Sequence, residues 1–123
     1  MIDIDELRKI NQSENIILTE HARNRLIEWN IKMQDVIKCI ETGEIIKQYE
    51  DDKPFPSCLI LGMSINNKYL HVVVSMNDNY IHLITAYFPN LEQWEPDFKT
   101  RRERRKWNVL NVAQWWKKVL QQA

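Results

Sequence analysis

The chain has 123 residues, 44% hydrophobic and 28% charged, and its formal net charge is zero. That length suits one domain with an ordinary core and excludes a miniature that needs disulfides or metal to fold. The two cysteines, Cys39 and Cys58, lie in apolar runs; they make neither a disulfide framework nor a zinc ligand set and point to a reducing cytoplasm. No signal peptide or membrane span is expected, because every apolar run is short.

Charge is unevenly spread. Residues 1–56 carry 12 acids and 8 bases, residues 57–96 carry 3 acids and 1 base, and residues 97–123 carry 2 acids and 8 bases. A basic end on an acidic body is a statement about partners rather than fold.

Residues 3–11 read as a short helix, with Ile4, Leu7 and Ile10 on one face and acids in the first turn. Thr19 is the predicted N-cap of a second helix over about residues 20–30, with Ala22, Leu26 and Trp29 inward. A third helix is expected over 33–42, stopped by Gly43. Four strands follow at 44–50, 58–65, 68–76 and 80–87, the first two separated by "EDDKPFPS". Asn66-Asn67 suits a two-residue hairpin and "NDN" at 77–79 a three-residue one. After Pro96 a helix is expected to the end.

These turns set a register, and side chains alternate faces along each strand. Gly62 then opposes His71, and His71 opposes Thr85. One face collects Leu59, Leu61, Met63, Leu70, Val72, Val74, Ile84 and Ala86 as the core beneath the helices. The other collects Gly62, Ser64, Tyr69, His71, Ser75, Thr85 and Tyr87. His82 falls on the core side. On the second face His71 has Tyr87 within reach and a gap over the imidazole at Gly62. A histidine and a tyrosine beside a gap can exchange protons with a bound substrate. The alternative is a half-buried histidine satisfied by a tyrosine or by backbone.

Two basic groupings stand out. His21 and Arg25 are four apart and share a helix face, where they can hold a phosphate or, for Arg25, pair with Glu28. In "DFKTRRERRK", Lys99, Arg101, Arg102, Arg104 and Arg105 cluster as a phosphate-backbone site would require. Trp94, Phe98 and Trp107 flank that run and can stack on bases. The competing expectation is that these cations pair with the acidic body. Farther on, Val109, Val112, Trp116, Val119 and Leu120 follow helical spacing, with Trp115 beside them. Such a stripe needs a cover: its own sheet, a second copy or a partner. There is no glycine-rich phosphate loop, no HExxH and no Cys/His cluster, so no metal or cofactor is expected.

The blocks "ILTEHARNRL", "VIKCIETGEII", "PSCLILG", "LHVVV", "ITAYFP" and "WEPDFKTRR" together resemble a family of small bacterial domains of unknown function. That family is related to the RelE, BrnT and MqsR toxins and is often encoded beside an MqsA-like zinc-binding antitoxin. The resemblance covers about residues 16–105. It implies a toxin-like fold, with helices on one sheet face and RNA on the other, and metal-independent cleavage of messenger RNA. It puts His21, Arg25, His71, Tyr87, Trp94, Asp97, Lys99 and Arg101 at matching positions, and it implies a tyrosine acting with a Lys or Arg. It also implies a cognate antitoxin as partner.

The expected architecture is therefore α+β. It has an antiparallel sheet of about four strands, two or three N-terminal helices on one face, and a C-terminal helical extension. Residues 1–105 form the domain and 106–123 an amphipathic, Trp-rich helix. The leading expectation is a type II toxin endoribonuclease, cytoplasmic, with no cofactor. His71 and Tyr87 would act as acid and base, and Arg25 and Arg101 would stabilise charge. His21, Lys99, Arg102, Arg104 and Arg105 would bind RNA, while Val109, Trp115, Trp116 and Val119 would bind a partner or a second copy. The alternative is a non-catalytic binding module on the same fold, acting through its basic run and C-terminal helix.

Overall fold

A computed structural model describes residues 1–102. The chain order is α1 (Ile4–Lys9), β1 (Ile16–Leu18), α2 (Glu20–Trp29), α3 (Met33–Thr42), β2 (Glu44–Tyr49), β3 (Ser57–Met63), β4 (Tyr69–Asn77) and β5 (Tyr80–Tyr87). The expected extension at 106–123, with Arg104, Arg105, Val109, Trp115, Trp116 and Val119, lies outside the described residues.

Local chemistry sets the helix ends. Asp3 caps α1 through its carboxylate, and Thr19 caps α2 by accepting from the Ala22 amide at 3.0 Å. Asn30 ends α2 in the left-handed region at φ 54°, which asparagine tolerates. Asp35, in the first turn of α3, accepts from the Lys32 amide at 2.8 Å and from the Ile65 amide at 2.9 Å. One buried carboxylate thus serves the start of α3 and the β3–β4 turn together. Arg8 reaches from α1 to the carbonyls of Ile40 and Gly43 at the end of α3. These carbonyls have no partner within the helix, so a guanidinium there replaces water.

The sheet has five strands in the order β1-β5-β4-β3-β2. The four expected strands are present and antiparallel to their neighbours. The expectation of a purely antiparallel sheet is corrected by β1, which pairs in parallel with β5 from Ile16↔Ile81 to Leu18↔Leu83. Three residues are too few to display the alternation by which a strand is recognised. Residues 97–102, expected as helix, instead continue a tight hairpin. Trp94 bridges Arg101, the Arg102 amide bonds to the Gln93 carbonyl, and Phe98 sits at φ 55°. Asp97 holds this turn, its carboxylate accepting from the amides of Lys99 and Thr100.

Both hairpin turns differ from the expected ones by one residue. The β3–β4 loop is residues 65–67, closed by the Ser64 amide on the Lys68 carbonyl, with Asn67 at φ 59°. Leu61, not Gly62, therefore opposes His71. A slip of one moves a whole strand to the opposite face. Cys58 and Ile60 enter the core beneath the helices, while Leu59 and Leu61 share the face of His71. The β4–β5 turn is Asp78–Asn79, with Asp78 at φ 54°, and a bulge between Val73 and Val74 shifts the pairing again. Near that turn the slip is one residue: Leu83 is core, and His82 pairs with Ser75 on the second face. Beyond the bulge the slip is two, so His71, Thr85 and Tyr87 keep the expected face.

Gly62 now lies beneath α3. A Cβ there would overlap the backbone of Cys39. The gap once assigned to the imidazole is where helix and sheet touch. Gly62→Ala should destabilise the fold by about 1–3 kcal/mol through overpacking against backbone. A urea-unfolding midpoint equal to that of the parent chain would contradict this close approach.

Candidate functional site

His71 is fully buried. Its Nε2 lies 2.7 Å from the Phe98 carbonyl and its Nδ1 lies 3.1 Å from the Tyr87 hydroxyl. A carbonyl only accepts, so Nε2 carries the ring proton and Nδ1 accepts from Tyr87. Trp94, also buried, packs edge-on against the imidazole with centroids 4.4 Å apart. The 93–102 hairpin therefore covers the part of the second face that was expected to be open. Of the two residues expected as acid and base, His71 has no path to solvent and can act only through Tyr87.

Burial lowers the His71 pKa from its ordinary 6.5, and the Phe98 carbonyl offsets this in part. Burial pushes the Tyr87 phenol up to about 12, with Tyr49 nearby adding to the rise and Arg101 opposing it. Both groups are held neutral. The thiols of Cys39 and Cys58 are likewise pushed up to about 12 by burial, so neither is a nucleophile at neutral pH.

On the outer side of Tyr87 is a cleft of about 420 Å³. Helix α2 lines it with His21, Arg25 and Trp29, β5 with Thr85, Tyr87 and Phe88, and the following segment with Pro89, Asn90, Gln93 and Arg101. Four of the expected site residues, His21, Arg25, Tyr87 and Arg101, thus meet in one place, although they lie far apart in sequence. Thr85 orients His21, its Oγ1 lying 3.2 Å from Nε2. Arg25 has Glu28 at 3.4 Å, an exposed pair worth little. Arg101 stands beside the Trp94 ring at 5.8 Å. Among the described residues no carboxylate lines the cleft. Two guanidiniums, an imidazole and two hydroxyls facing one cavity form a site for an oxyanion.

The rest of the basic run divides differently. Lys99 pairs with Glu44 on the body, and its ammonium is held charged well into the alkaline range by that carboxylate. Arg102 pairs with Glu95 at 3.3 Å and bonds to the Leu91 carbonyl. For these two the expected alternative, pairing within the chain, is the arrangement found. Trp94 is buried on His71 and Phe98 stacks on Tyr69 at 5.2 Å, so neither is the free platform expected beside the run. Asn90, Gln93 and Phe88 were not singled out from sequence, and Trp29 was expected only as an inward residue of the second helix. Only the Phe88-Pro89-Asn90 turn after β5 hinted that the chain would bend around a cavity there.

Fold and site together define an α+β domain with a mixed five-stranded sheet and a cleft at the α2–β5 edge lined by His21, Arg25 and Arg101. The chain belongs to the family described as "Domain of unknown function (DUF4258)", which matches residues 18–88. The matched span includes His21, Arg25, His71, Thr85 and Tyr87; the hairpin carrying Trp94 and Arg101 follows it. No curated protein and no solved structure matches the chain. Among the described residues no helix is long and apolar enough to cross a membrane, and no three His, Cys, Asp or Glu side chains gather as metal ligands.

The buried imidazole makes stability depend on pH. The unfolded chain takes up a proton at His71 near pH 6.5, whereas the folded chain resists until a lower pH. This contribution is complete above that value and is lost as pH falls below it, at up to about 1.4 kcal/mol per pH unit. His71→Gln should flatten the decline in urea-unfolding free energy just below neutrality. An identical pH slope in both chains would contradict a neutral, buried His71.

Proposed function

We propose that the chain is a metal-independent endoribonuclease of the toxin–antitoxin type, and that the α2–β5 cleft is its active site. The observation that carries this proposal is the convergence of His21, Arg25, Tyr87 and Arg101 on one cavity that no carboxylate lines among the described residues. Resemblance of the sequence blocks to relatives of the RelE, BrnT and MqsR toxins supports the same chemistry. RNA cleavage by its own 2′-hydroxyl needs a base, an acid and cations for the phosphorane. His21 takes the 2′-hydroxyl proton as that oxygen bonds to phosphorus. The bond to the 5′ oxygen breaks, leaving a 2′,3′-cyclic phosphate and a 5′-hydroxyl. Tyr87, kept protonated by burial, swings its O–H from His71 Nδ1 to the departing oxygen and gives it the proton. Arg25 and Arg101 hold the charge on phosphorus. His71 is a positioning residue, fixing the Tyr87 hydroxyl from behind.

One observation favours the alternative of a non-catalytic binding module: the buried His71 has lost direct access to a substrate. A cognate antitoxin and a second copy of the chain stand as proposed partners of residues 107–120 under either view.

His21→Ala and Tyr87→Phe should each lower RNA cleavage about 10²–10⁴-fold while the protein stays folded. Both should relieve growth arrest in a bacterial host, as should coexpression of the neighbouring open reading frame. EDTA should leave cleavage intact. If both variants remain as toxic as the parent, the site is elsewhere; purified parent chain that binds RNA without cleaving it is a binding module.

A further inference from the structure

A second cavity, of about 400 Å³, adjoins the cleft and shares Phe88 and Pro89 with it. Its other walls are Asn67 and Lys68 from the β3–β4 turn, Tyr69 at the start of β4, and Phe98 from the hairpin. Tyr69 is half exposed, and the Phe98 ring packs against it at a tilt of 46° with centroids 5.2 Å apart, so two aromatic rings wall the cavity. Lys68 stands over the Phe88 ring, its ammonium 5.9 Å from the centroid. Lys38 bonds to Asn67 at 3.1 Å and places a second cation at the rim. Among the described residues no carboxylate lines the cavity.

Resting on the ribonuclease proposal for the neighbouring cleft, we infer that this slot stacks the nucleobase flanking the phosphate held there. The ligand is then single-stranded RNA of two nucleotides or more, rather than a lone phosphate or mononucleotide. Aromatic rings accept any base by its π-face, so the slot adds affinity without choosing sequence. Lys68 and Lys38 sit where the chain of phosphates continues. The two cavities lie side by side at Phe88 and Pro89, so a strand held in one can reach the other. An apolar peptide would also fit rings, but it would have no use for two lysines and no reason to run on into two arginines.

Binding of a labelled 2′-O-methyl oligoribonucleotide, which has no free 2′-hydroxyl to attack, tests this by fluorescence anisotropy. Inorganic phosphate binding is measured beside it by NMR titration. Tyr69→Ala should weaken the oligonucleotide about 5- to 150-fold, the worth of one stacked base, and leave phosphate binding unchanged. Arg25→Ala and Arg101→Ala should weaken both ligands. If Tyr69→Ala proves unfolded by circular dichroism, exposed Lys68 decides: Lys68→Ala should lower the slope of log K against log salt by about 0.7. Unchanged oligonucleotide affinity in folded Tyr69→Ala overturns the stacking slot but leaves the cleft proposal standing, and a preserved salt slope in Lys68→Ala overturns the slot in the same way. Failure of the parent chain to bind either ligand overturns both.

Discussion

The bond from His71 to the Phe98 carbonyl is the buried polar link between the sheet and the hairpin that covers it. Below it is a sheet whose second face carries Leu59, Leu61, Val73 and a tyrosine pair. Above it is a hairpin with little regular structure. Burying an imidazole is costly unless both nitrogens find partners. Phe98 supplies an acceptor because φ 55° turns its backbone there, and Tyr87 supplies the donor. Trp94 closes the face of the ring. With the hairpin fixed, Arg101 is placed at the edge of the cleft and Phe98 at the edge of the slot.

Allocation of cations follows from the same anchoring. Lys99 and Arg102 face carboxylates of the body and of their own hairpin. Arg101, between them, turns the other way, toward Trp94 and the cavity. Arg101 and Arg102 are adjacent on the extended return arm and so point to opposite sides, while Lys99 lies in the turn held by Asp97 and is aimed by that turn. A helix there would have spread the three over one broad face. The hairpin concentrates one guanidinium where α2 has already placed Arg25 and His21. Electrostatics at the cleft is therefore a product of topology as much as of composition.

Much of the helical layer was legible in the sequence, because it rests on local signals. Thr19, Asn30 and the apolar spacing of α3 mark their own ends and faces. Strand positions were legible too, whereas register was not. The expected loops, 66–67 and 77–79, were each one residue off, and the αL residues Asn67 and Asp78 mark the turns that form. One slip sent Leu59 and Leu61 to the wrong face and set Gly62 opposite the imidazole, where Leu61 stands. The Val73–Val74 bulge undid the second slip for Thr85 and Tyr87. His21, Arg25, Tyr87 and Arg101 were each visible as residues that could touch a phosphate. Their meeting was not, since it depends on β1 lying beside β5 to carry α2 to that edge. The burial of His71 was hidden for a similar reason: a run reading as helix gave no sign that it would fold back over the sheet.

The state of one ring tests this arrangement most directly. Nitrogen NMR of His71 at about pH 6.5 reports its tautomer and charge together. An ordinary histidine would be half protonated there. The structure requires a predominantly neutral ring with its proton on Nε2 and slow exchange of that proton with water. A ring that is half cationic at that pH, or that exchanges freely between tautomers, would mean that the hairpin does not close over His71.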